Sequence, residues 1–108
     1  MTLASQPQPA PIQTAGSVPV LPFVLSDPET GPIRPDLSER AVDGVKKYGV
    51  PLMACNGRDA LTDFYQKTLD AVMYARQYDL EASDALTWAL YEDAVRLAKR
   101  VRQRIDAR

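Results

Sequence analysis

The chain has no histidine and only one cysteine, Cys55, in 108 residues. Without histidine there can be no Ser-His-Asp triad, and the commonest general base and the usual zinc ligand are both missing. A lone thiol cannot staple a secreted fold. No apolar run approaches the roughly 18 residues of a membrane span. Lysine and arginine are absent before Arg34, so the start lacks the positive region of a secretory signal. The net charge of −1 favours neither a nucleic acid nor a basic partner. Hydrolytic chemistry on such a chain has to run on carboxylates and a hard cation such as magnesium.

Proline is plentiful but uneven, with eight of the nine in residues 1–35. QPQPAPIQ reads as extended polyproline-type backbone, because each proline fixes φ and turns its predecessor away from the helical region. The following VPVLPFVL, residues 18–25, is apolar and reads as a tract that cannot be helical. Ordering 35 residues costs on the order of 1–2 kcal/mol each. Burying six apolar side chains returns about 1.5–3 kcal/mol each. The sum falls short, so residues 1–35 are expected to be disordered or held by a neighbour.

Residues 36–108 carry helical patterning, and the expected fold is all-α. It is a small bundle of about three helices with an extended proline-rich N-terminal arm. DLSE at 36–39 reads as a capping box that opens the first helix, and Gly49 after two lysines reads as its stop. A hydrophobic loop, residues 50–57, leads into a second helix from about Arg58 to Tyr78. Leu61, Phe64, Tyr65, Thr68, Val72 and Ala75 share one of its faces. A third helix starts near Ser83, read as its cap, with a stripe of Leu86, Leu90, Ala94, Leu97, Val101 and Ile105. Trp88, Tyr91 and Val95 widen that stripe. The surplus suggests packing on more than one neighbour, and with so small a core it points to a homo-oligomer. No strand pattern is visible in this part.

Asp59, Asp63, Lys67 and Asp70 fall in one stripe under a quarter turn wide on the second helix. Glu39 and Asp43 sit one turn apart on the first. Two antiparallel helices could set these acids along one cleft, where magnesium would take oxygen ligands and activate a water. The bland reading is the solvated side of an amphipathic helix.

Residues 46–77, KKYGVPLMACNGRDALTDFYQKTLDAVMYARQ, resemble a block of small phage and prophage proteins related to MazG-like, all-α nucleotide pyrophosphohydrolases. The matching marks are KYG at 47–49, NGRDAL at 56–61 and LDAVMYARQ at 69–77. The resemblance implies a magnesium-dependent enzyme that cleaves nucleoside triphosphates between the α and β phosphates. It implies Asp70 and Asp63 as catalytic acids. Glu39, Asp43, Asp63 and Asp70 would hold the metal, and Arg58 would contact the nucleotide. Lys67 stands where the family's second motif has an acid. An ammonium about 5 Å from a divalent cation, at an effective dielectric near 20, is repelled by several kcal/mol. This favours a protein that keeps the fold without the reaction. The alternative is a non-enzymatic structural or adaptor protein of a phage particle, its arm docked on neighbouring subunits. A protein scaffold touching residues 1–35 and a nucleotide are the expected partners, in host cytoplasm or virion, with no membrane.

Three further features bear on those readings. Asn56, Gly57 and Arg58 lead into a helix N-terminus, where phosphate binds readily; an Asn-Gly turn is equally ordinary. Tyr74 borders the acidic stripe and reads either as a base-stacking ring or as a boundary tyrosine. Residues 96–108 carry six cations against one acid, either a solvated helix end or a phosphate-binding face.

Overall fold

The computed structural model describes residues 2–108. The protein is all-α apart from one two-residue ladder. In order it has strand β1 (Val18–Pro19), helix α1 (Leu21–Ser26), a 3-10 turn (Pro28–Ile33), helix α2 (Arg34–Tyr48), strand β2 (Met53–Ala54), and helices α3 (Ala60–Ala82) and α4 (Ala85–Asp106). Backbone contacts group these into two units. One is Ala10–Gly57; the other joins Arg58–Arg108 to the residues up to Pro9.

In the first unit, proline placement corrects the reading of 18–25 as non-helical. Pro22 occupies the first turn of α1, where its missing N–H has no intrahelical partner to lose. The same logic moves the start of α2. Pro35 stands in its first turn, so the helix begins at Arg34 and Asp36 lies inside it. The expected capping box at 36–39 therefore does not form: the cap position is Ile33, which contributes no side-chain bond. The stop is as expected, with Gly49 left-handed at φ 79° and its N–H on Val45 O at 2.7 Å.

The stretch from Ala10 to Val20 is knitted to residues 52–56 by polar bonds. β1 and β2 pair antiparallel, Val18 opposite Ala54, a ladder the sequence pattern gave no hint of. Ile12 N donates to Asn56 O at 2.8 Å and Val20 N to Leu52 O at 3.1 Å. The hydroxyls of Thr14 and Ser17 both donate to Cys55 O at 2.9 Å. Gly57 closes the turn at φ 81°, and a Cβ there would meet Ile12 Cγ1 at 2.8 Å. No apolar residue of this unit is buried.

The second unit is an antiparallel helical hairpin. α3 runs four residues beyond Tyr78 and ends at Ser83, which is left-handed at φ 54°. The expected cap role of Ser83 falls instead to Asp84. Asp84 accepts from Thr87 N at 2.8 Å, while Thr87 Oγ accepts from Asp84 N at 3.1 Å. α4 packs on α3 through Thr87, Ala98, Val101 and Ile105. The expected stripe is thus partly displaced: Leu86, Leu90 and Leu97 stand exposed, and the smaller Thr87 and Ala98 take the inside.

Residues 2–9 run against α3. The Gln66 amide donates to Leu3 O at 3.0 Å and Gln6 O at 2.9 Å, and Gln8 Oε1 accepts from Asp59 N at 3.3 Å. Extended proline-rich backbone has no internal donors for its carbonyls, and side chains of the hairpin supply them. These polar bonds hold residues 2–9 in addition to whatever apolar surface they bury.

Candidate functional site

The charged groups that the sequence singles out gather at the start of α3. Asp59 is its cap. Its Oδ1 accepts from the N–H groups of Leu61 (3.1 Å) and Thr62 (3.2 Å), and its Oδ2 from the buried Thr62 hydroxyl at 2.7 Å. Arg108 grips the same carboxylate with both terminal nitrogens, Nη1 reaching Oδ1 at 3.0 Å and Nη2 touching Oδ2. Chiefly through that arginine, and then through Thr62, the carboxyl is held far below the usual carboxylate range. The first turn of α3 therefore already carries an anion. Its role as a phosphate cradle is filled by its own side chain.

Arg58 and Asp63 meet in a fork. Arg58 Nε donates to Asp63 Oδ2 at 2.9 Å and Nη2 to Oδ1 at 2.8 Å, while Nη1 donates to Pro9 O at 2.7 Å. This bidentate geometry is the strong form of a charge-assisted pair. The expected nucleotide contact and the expected metal ligand are thus each other's partner. Both are half-buried, at 26 % and 33 % side-chain exposure, so the pair is less screened than a surface bridge.

Asp70 lies on the exposed side of α3. Seven residues separate it from Asp63, about 10 Å along the helix axis. Two aspartates so spaced on one rod cannot both reach a cation whose ligands stand about 2.1 Å away. Glu39 and Asp43 are one turn apart on α2, in the other unit. With Asp36 and Arg40 they line a pocket of about 260 Å³, and Arg40 lies 4.0 Å from Asp43. The Arg40 guanidinium stands among these three carboxylates. Among the described residues no three Asp, Glu, Cys or His side chains group as a cation site. Tyr74 is 71 % exposed.

The sequence reading missed a polar node near the hairpin turn. Asp79 is buried and accepts from Arg76 Nη1 at 2.6 Å and from the Thr87 hydroxyl at 2.8 Å. The Arg76 guanidinium also lies over the Trp88 and Tyr91 rings, 5.2 and 5.5 Å from their centroids. A signal was present. Thr68, Val72, Ala75 and Asp79 follow core spacing, so the acid belonged inside, and Arg76 three residues before it was the natural partner.

On the same side of the hairpin a groove of about 420 Å³ has an apolar floor of Leu69, Val72, Val95 and Ala98. Arg102 and Lys99 rim it; Arg102 lies over Tyr65 at 5.7 Å and pairs with Asp106 at 3.1 Å. The cations of 96–108 are thus partly engaged within the chain: Arg96 with Asp93, Arg102 with Asp106 and Arg108 with Asp59.

No protein-family model, curated protein or solved structure matches the chain. Among the described residues, no helix is long and apolar enough to cross a membrane.

Proposed function

We propose that the chain is a non-enzymatic structural or adaptor protein whose helical hairpin is its protein-binding element, working among other chains as in a multi-chain particle such as a phage virion. The observation that carries this reading is the Arg58–Asp63 fork, closed over by the Pro9 carbonyl. A hydrolase of the kind the sequence resembles needs that carboxylate on magnesium and that guanidinium on a triphosphate. Opening the fork forfeits two charge-assisted hydrogen bonds, each worth about 1.5–3 kcal/mol. The stripe's remaining charges argue the same way: Asp59 is the helix cap, Lys67 is a cation, and Asp70 lies too far along the rod. The large apolar side chains left exposed on α3 and α4 suit a protein that meets other proteins.

One observation favours the second reading, a magnesium-dependent nucleoside triphosphate pyrophosphohydrolase. Asp36, Glu39 and Asp43 border a single pocket on α2. The deciding experiment is pyrophosphate release from a panel of deoxynucleoside triphosphates with magnesium, run beside calorimetric titration of magnesium alone. The adaptor reading expects neither turnover nor magnesium binding. Turnover that is lost in D63N or in E39Q would replace it with the hydrolase.

A further inference from the structure

The hairpin has two broad sides. One carries the groove, the Arg76–Trp88–Tyr91 stack and Arg102 over Tyr65. The helical period puts a different set on the opposite side: Phe64, Ala71 and Tyr78 from α3, and Leu86, Leu90 and Leu97 from α4. The three leucines lie within about 40° of one another around α4. Phe64, Ala71 and Tyr78 repeat every seven residues along α3. None of the described polar bonds of residues 2–9 reaches this side.

The large side chains there run from 41 % exposed (Leu97) to 70 % exposed (Leu86). Taking about 200 Å² for a fully open large side chain, five of them present roughly 500 Å² of apolar surface. A standard interface takes about 800 Å² from each partner, a total that neighbouring alanines and flanking charged stems can complete. The hairpin's own core argues in the same direction, because only Ala98, Val101 and Ile105 are buried apolar residues.

Charge selects the occupant. Of the cations of residues 96–108, Arg100 and Arg104 fall beside the leucines around α4, while the turn at its other end carries Glu81 and Asp84. Two copies of α4 laid antiparallel set each basic end over the other's acidic end. Laid parallel, like faces like. A second copy of the same helix is thus its own electrostatic complement.

We infer that this face, centred on Leu86, Leu90 and Leu97, pairs with the same face of a second copy of the chain, α4 against α4 in antiparallel sense. The inference rests on the adaptor reading and supplies its first partner.

Sedimentation and light scattering of the full chain at micromolar concentration test it. The expected mass is twice the 12.0 kDa of one chain. L90E puts an unpaired charge at the centre of the face and is expected to weaken pairing about 100-fold, with helix content by circular dichroism unchanged. K99E, on the groove side, is expected to leave the pair intact. In a C55S background, L86C is expected not to form a disulfide with itself, since antiparallel pairing keeps the two thiols far apart. A monomeric wild-type chain, a pair indifferent to L90E, or ready self-crosslinking of L86C overturns the proposal. A monomer that also fails to turn over nucleotide would sink only the self-pairing and leave the adaptor reading standing.

Discussion

The two units are held together by different physics. Ala10–Gly57 contains no buried apolar residue and is sewn by backbone and hydroxyl bonds: Ile12 to Asn56, Val20 to Leu52, Thr14 and Ser17 to Cys55. The α3–α4 hairpin has a small apolar seam and a buried ionic node, with residues 2–9 bonded along it. A hydrogen bond contributes only about 1 kcal/mol net, whereas buried side chains contribute two or three times that. The hairpin is therefore the rigid element, and the first unit opens at lower free energy.

The sharpest way to break this contrast is at the node. Asp79→Ala removes two bonds to a buried carboxylate, one from the Arg76 guanidinium and one from the Thr87 hydroxyl. It is expected to cost the hairpin about 3 kcal/mol in urea unfolding and to free the Arg76 guanidinium from the Trp88 ring, seen as a change in Trp fluorescence. Gly57→Ala attacks the other unit. It forces a methyl against Ile12 at a φ of 81° and should cost about 2 kcal/mol, read as faster exchange of the Ile12 and Val20 amides with helix content of the hairpin retained.

Asp59→Ala removes the α3 cap and is expected to cost about 1 kcal/mol. The native carboxyl titrates far below its unfolded value of about 3.9, so its contribution is complete above that pH and is lost as pH falls below it. Acid titration of stability should therefore be shallower in D59N than in the wild type. The smallest effect is expected from Gln66→Ala, which loses two bonds to the Leu3 and Gln6 carbonyls. Residues 2–9 should become sensitive to protease with the hairpin's melting temperature nearly unchanged.

Much of this was legible from residue type and spacing. Gly49 as a stop, the helical character of 60–78 and 85–106, and Glu39 one turn from Asp43 all follow from local rules. What was hidden depended on context. Pro22 and Pro35 look like helix breakers until the helix start is known; then they are first-turn residues. α4 is apolar around so much of its circumference that spacing alone did not choose Thr87 and Ala98 over Leu90 and Leu97 for the inside. The Arg58–Asp63 fork joins residues five apart across a helix start, a geometry that helical periodicity alone does not describe.

Residue-resolved hydrogen exchange under native conditions tests the central contrast most directly. The account predicts that the amides of Ala98, Val101 and Ile105 exchange slowest, only through global unfolding, while those of Ile12 and Val20 exchange through a lower-energy opening that spares the hairpin. Equal protection in both units, or a hairpin that exchanges before Ile12 and Val20, would contradict it.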